Sequence, residues 1–205
     1  MKISAKNDGS VGDARGEKAL RIMEAATRVF ARKGFYNATI SDVAKVAEVA
    51  EGTIYLYFKN KDDLLISIFE HSMDFFIQEV NEELEGMEDP REKLKKFLDL
   101  HLRLVQKNPD LAQVLQIELR QSSKFMKEYE GGKFSDYLNV VRSILEEGQE
   151  KGVFRKDFEP RILRRAIFGA VDELALEWLL MSKKKYGLEA CSAQIGEMFL
   201  KGISS

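Results

Sequence analysis

The sequence predicts an all-α protein of about nine helices. Three observations carry that prediction. Apolar residues recur at helical spacing along most of the chain, and no stretch alternates convincingly as a strand. The three prolines, Pro90, Pro109 and Pro160, follow Asp89, Asn108 and Glu159 and each open a helical stretch, where the missing N–H is no loss. Residues 39–61, TISDVAKVAEVAEGTIYLYFKNK, read as a short helix, a tight turn and a second short helix that runs into the cap of a long one. The expected architecture is an N-terminal three-helix head with a helix-turn-helix, followed by a C-terminal helical body.

Composition bounds what such a chain can do. Of 205 residues, 44% are apolar, enough for a real core. No run of about 18 apolar residues exists to span a membrane, and the first residues lack the apolar centre of a secretory signal. The single cysteine, Cys191, excludes an internal disulfide. These features fit a cytoplasmic protein. The two histidines, His71 and His101, lie on separate stretches with no nucleophile or acid partner at motif spacing. No Cys/His cluster has metal-ligand spacing and no glycine-rich phosphate loop appears. The expectation is therefore no catalytic residue, no metal, no cofactor and no enzyme. Charge is uneven. Residues 1–61 hold eleven Lys/Arg against seven Asp/Glu, a net of +4, whereas residues 62–205 hold twenty-one against twenty-seven, a net of −6. A basic head on an acidic body suits a DNA reader with a separate regulatory body.

Residues 1–16 are polar and aperiodic and read as a disordered basic tail. The helix-turn-helix domain is expected over 17–61 and a ligand-binding and dimerisation domain over 62–205. The first helix, 17–33, carries Ile22, Ala26, Val29 and Phe30 on one stripe and stops at Gly34. Thr39 and Asp42 have the spacing of a capping box for the second. The turn is Glu48-Val49-Ala50 and the third helix spans 51–57. Asn60 caps a long fourth helix ending near Gly86. Helices follow over 90–107, 109–121, 124–151, 160–184 and 187–202, with Gly131-Gly132 breaking or loosening the first turns of the seventh.

The third helix has what a helix needs to enter a major groove about 12 Å wide. Its N-terminus is small (Ala50, Gly52, Thr53), so the backbone can approach base edges. Gly52, Thr53 and Tyr55 are the candidates for base contacts, and Thr39, Tyr57, Lys59 and Lys61 for phosphates. Ile54 and Phe58, at i and i+4, belong to the core instead.

Residues 22–65 resemble the TetR family of bacterial regulators. The likeness is carried by Ile22, Ala25, Ala26, Phe30, Gly34, Phe35, Thr39, Val43, Ala44, Ala47, Val49, Gly52, Thr53, Tyr55, Tyr57, Phe58, Lys61, Leu64 and Leu65. Two positions depart from the family pattern: Glu48 replaces the turn glycine, and Ala50 replaces the serine that caps the recognition helix. The resemblance implies that Gly52, Thr53 and Tyr55 face bases and that Thr39, Tyr57 and Lys61 face phosphates. Further segments, IELRQSS (117–123), YLNVVRSILEEG (137–148) and IFGAVDELALEW (167–178), resemble the TetR-type regulators of fatty-acid degradation, which are repressors released by long-chain acyl-CoA.

One recognition helix reads few bases, so a homodimer on a palindromic operator is expected. Its interface is assigned to the eighth and ninth helices through Ile162, Ala166, Gly169, Ala170, Trp178, Ile195 and Phe199. An effector pocket is assigned to Phe97, His101, Leu104, Leu115, Leu119, Arg120, Leu145, Phe168 and Val171, with Arg120 for the phosphates of an acyl-CoA. The function read from this sequence is a repressor that releases DNA on binding a small hydrophobic effector. Alternatives are a regulator of the same fold with a drug-like ligand or none, and a helical lipid-binding module without DNA binding.

Overall fold

Local capping chemistry sets where these helices begin. The structure, a computed structural model, describes residues 11–122 and 132–205. The described residues form nine helices. They are α1 (Val11–Lys33), α2 (Ile40–Ala47), α3 (Glu51–Tyr55), α4 (Lys61–Leu84), α5 (Pro90–Lys107), α6, α7 (Lys133–Glu150), α8 (Pro160–Leu180) and α9 (Leu188–Ile203). Helix α6 is built from consecutive α, π and α turns: Pro109–Gln113, Val114–Glu118 and Leu119–Gln121. Among the described residues the one β feature is an isolated antiparallel bridge between Phe154 and Ser204.

Two boundaries differ from expectation by more than two residues, and a third falls at the expected glycine break. Helix α1 starts at Val11, so residues 11–16 of the expected disordered tail are helical; residues 1–10 lie outside the described residues. Once the packed part of a helix is nucleated, each outward residue adds a hydrogen bond, and here that outweighs the glycines. Helix α8 ends at Leu180, four residues early, because Met181 turns extended (ψ 122). Lys184 then folds back with its ammonium 4.1 Å above the Trp178 ring. Helix α7 begins after Gly132, whose φ of 63 no ordinary side chain adopts comfortably. Its expected earlier part, 124–131, lies outside the described residues.

The chain forms two compact units. The described part of the first is 11–71 and 108–122. Its core joins Ile22, Ala26, Val29 and Phe30 of α1 to Ile40, Val43, Ala44 and Ala47 of α2, all buried, with Ile54 and Phe58 behind α3. Helix α6 also packs on α1 in this unit, although sequence order puts it in the body. This helix brings two polar side chains to the end of α1, Gln113 from its first turn and Glu118 from its π turn. The Gln113 amide donates to Ala31 O at 2.8 Å, and the buried Glu118 carboxylate accepts from Phe35 N–H at 2.7 Å. The described part of the second unit is 72–107 and 132–205. Here α9 packs closely on α5 at Gly196, where an added Cβ would already sit 3.5 Å from Leu98. Phe154 is inserted over Gly148 of α7, with ring atoms 2.0 Å from where a Cβ would stand.

Candidate functional site

The helix-turn-helix is positioned by its caps. Thr39 Oγ1 accepts from Asp42 N–H at 3.1 Å, and the Asp42 carboxylate accepts from Thr39 N–H at 3.1 Å and from its hydroxyl at 2.8 Å. The Lys33 ammonium sits 2.7 Å from the other Asp42 oxygen. Lys33 first, then Thr39, hold the Asp42 carboxyl well below the usual carboxylate range. The α2 C-terminus is closed by Glu48 in the left-handed conformation (φ 56, ψ 45). It is the one non-glycine with positive φ among the described residues. Val49 N–H donates to Ala44 O at 3.1 Å, and the Arg21 guanidinium to Ala47 O at 3.3 Å. Ala50 stands at the N-cap of α3 without a side-chain cap bond. Both departures noted in the sequence are thus real local weaknesses: a strained residue costs about 1–2 kcal/mol and a missing cap about 1 kcal/mol.

Helix α3 buries Ile54 and leaves its other sides outward. Gly52 is exposed, with nothing within 4 Å of a Cβ built on it. Tyr55 is exposed and Thr53 half-buried. Leu56 is exposed as well, and so is Tyr36, although Phe35 and Tyr36 are both expected from the sequence to pack under α2; of the two only Phe35 is buried. Tyr57 is half-buried, with the Arg15 guanidinium 5.7 Å from its ring centre. Thr39 and Lys59 are exposed. At the start of α4, Asn60 Oδ1 accepts from Asp63 N–H at 2.8 Å, and Asp63 Oδ2 accepts from Lys59 N–H at 2.8 Å.

Lys61 differs from the phosphate-contact expectation. Its ammonium donates to Phe35 O at 2.7 Å, Ala38 O at 2.9 Å and Tyr36 O at 3.3 Å, and lies 4.5 Å from the Phe35 ring centre. All three of its N–H donors are engaged by the α1–α2 loop, so its role here is to hold that loop. Nothing in a motif spacing reveals where a lysine ammonium will fold back.

The expected effector residues divide between the units. Leu115, Leu119 and Arg120 belong to the first; Phe97, His101, Leu104, Leu145, Phe168 and Val171 belong to the second. In the second unit His101, Phe97 and Phe168 form an aromatic cluster with Phe76, Phe134 and Tyr137, neighbouring rings standing 5.1–6.5 Å apart. The sequence reading missed the last three, although Tyr137 opens one of the segments it had singled out. Leu145 and Val171 are buried and Leu104 half-buried. Of the expected interface residues, Ile162, Ala166 and Gly169 are exposed on α8, while Ala170, Trp178, Ile195 and Phe199 are half-buried. Ile162 (69% exposed), Leu180 (68%) and Met198 (56%) are large apolar side chains left in solvent on α8 and α9. No group of acidic, His or Cys side chains able to hold a metal occurs among the described residues, and none of their helices is long and apolar enough to cross a membrane.

Residues 22–68 match the profile of bacterial regulatory proteins of the tetR family, and residues 69–202 that of the YsiA-like protein C-terminal region. The chain belongs to the TetR family. As a TetR-family chain it is a helix-turn-helix transcriptional regulator, and its relatives sharpen the branch. It is 38% identical over 186 residues to the fatty acid metabolism regulator protein of Bacillus subtilis, spanning 91% of this chain and 95% of that one. The fatty acid degradation regulator FadR from Bacillus halodurans superposes with a TM-score of 0.85 at 36% identity, covering 96% of this chain and 98% of that one. FadR from Bacillus subtilis, solved in complex with stearoyl-CoA, gives a TM-score of 0.84 at 38% identity over 90% of this chain and 98% of that one.

Proposed function

We propose that this TetR-family protein is a cytoplasmic homodimeric repressor that binds a palindromic operator and leaves it on binding a long-chain acyl-CoA. The chain performs no chemical step in this scheme. The observation that supports the effector is the similarity, over nine-tenths of the chain, to a regulator solved with stearoyl-CoA. In the head, Gly52, Thr53 and Tyr55 meet bases, and Thr39, Tyr57 and Lys59 meet phosphates. Two heads are needed because a five-residue α3 presents few side chains to the groove. The exposed Ile162, Leu180 and Met198 are an apolar surface for the second copy to cover, together with Ala166, Gly169, Ala170, Trp178, Ile195 and Phe199.

Moving a regulator from mostly bound to mostly free needs a differential affinity of about 5.5 kcal/mol. At about 0.8 kcal/mol per buried CH₂, some seven methylenes buried only in the released state suffice. A long acyl chain has them and a short one does not. Selection of bound sequences from a random duplex pool tests the DNA half. A palindrome is expected, with Thr53→Ala and Tyr55→Ala flattening the preference at the half-site centres. Recovery of no sequence preference by the intact protein would refute it.

A further inference from the structure

The aromatic cluster of the second unit contains one polar pair. Tyr137 Oη and His101 Nδ1 are 2.7 Å apart; Tyr137 is buried and His101 half-buried, their rings set among Phe76, Phe97 and Phe168. A buried phenol must place its proton on an acceptor, and His101 Nδ1 is the acceptor within reach. Burial, helped by the charge of Asp172, keeps the Tyr137 phenol protonated. Burial also lowers the His101 pKa to about 4, so the imidazole carries a single proton at neutral pH. With Nδ1 accepting, that proton is on Nε2. Nε2 is shielded from solvent and has no partner. The Phe76 and Phe168 rings stand nearly perpendicular to the imidazole at 5.9 and 6.5 Å, which offers that N–H only a weak π contact. The cluster therefore holds an oriented, unmatched N–H donor in an apolar surround whose rim rings, Phe134 and Phe168, are half-buried.

We propose that His101 Nε2–H, fixed in that tautomer by Tyr137, is the hydrogen-bond donor for the neutral carbonyl oxygen of a buried acyl ligand. The apolar rings suit an aliphatic chain. The Arg165 guanidinium at the cluster lies over the Phe134 ring, 5.4 Å from its centre, while the His101 donor is itself neutral and suits an ester, thioester or amide carbonyl rather than a free carboxylate. This rests on the acyl-effector reading above and adds to it the group by which the site distinguishes an acyl chain from a plain alkyl chain. Filling one orphaned neutral donor changes affinity about tenfold.

The test is calorimetric binding of palmitoyl-CoA and of S-hexadecyl-CoA, the thioether of equal length without the carbonyl, to the full-length protein. The wild type is expected to prefer the thioester about tenfold, and His101→Phe to bind the two within about twofold of each other. The ¹⁵N-bound proton of His101 Nε2 is expected to shift downfield with palmitoyl-CoA and not with the thioether, which decides the matter even if His101→Phe fails to fold. Equal wild-type affinity for the two ligands, or no difference in that proton signal, would overturn the inference and leave the effector reading intact. Binding of neither ligand would remove both.

Discussion

Glu118 offers the sharpest local test of how the DNA-reading head is held. Its carboxylate is 5% exposed and accepts from Phe35 N–H at 2.7 Å. That amide follows Gly34, where α1 stops with φ 76 and Gly34 N–H closes on Phe30 O at 2.9 Å. Phe35 is itself buried, so its N–H has no recourse to water. On the other side of the same loop, Lys61 grips three carbonyls. A hydrogen bond to a charged group contributes about 1.5–3 kcal/mol. Glu118→Ala removes it and orphans the amide, so a loss of about 2–3 kcal/mol is expected. Glu118→Gln keeps a neutral acceptor of the same shape, so about 1 kcal/mol should be lost, partly offset because no charge is then buried. Urea unfolding measures the stability, and amide hydrogen exchange at Phe35 measures the bond itself. Operator affinity should fall with Glu118→Ala, because the loop sets the approach of Thr39 and α2. Unchanged stability, with Phe35 still protected in Glu118→Ala, would refute the reasoning.

Glu48→Gly should stabilise the protein by about 0.5–1 kcal/mol, the left-handed strain relieved less the added freedom of the unfolded chain; a lower melting temperature would contradict this. Gly148→Ala must displace the Phe154 ring and should cost about 1–3 kcal/mol, read as a drop in thermal midpoint of about 2–4 °C per kcal/mol. Lys59→Ala should weaken binding to all DNA sequences and reduce the slope of log affinity against log salt by about 0.9 per protomer. Lys61→Ala should instead lower the stability of the head, seen as exchange of the loop amides. Because the Asp42 carboxyl binds protons more weakly folded than unfolded, its cap is at full strength above the ordinary carboxylate range and is lost as pH falls through and below that range. Carbon NMR titration should find Asp42 ionised where other aspartates are half protonated, and Lys33→Ala should move it upward.

What the sequence made legible is what short-range chemistry determines. Pro90, Pro109 and Pro160 each stand at the first residue of a helix, and the Thr39/Asp42 box closes as its spacing requires. The left-handed Glu48 and the uncapped Ala50 also follow from position within the motif. The contacts that escaped are long-range. Glu118 meets Phe35 across 83 residues, and Tyr137 meets His101 across 36. Neither pairing leaves a periodicity, because it depends on how whole helices come to lie. Lys61 shows the same limit at one residue: its identity and place were right for a phosphate contact, while the packing of the α1–α2 loop gave its ammonium nearer acceptors. The π turn of α6 was likewise invisible, since an extra residue in one turn changes no capping signal.

Fluorescence anisotropy of a labelled operator duplex, titrated with palmitoyl-CoA, butyryl-CoA and free coenzyme A in turn, tests the central claim most directly. The account predicts that palmitoyl-CoA releases the DNA and that the other two do not, because only the long chain buries enough methylenes to shift the equilibrium. An operator complex unchanged at saturating palmitoyl-CoA, or released equally by all three, would contradict it.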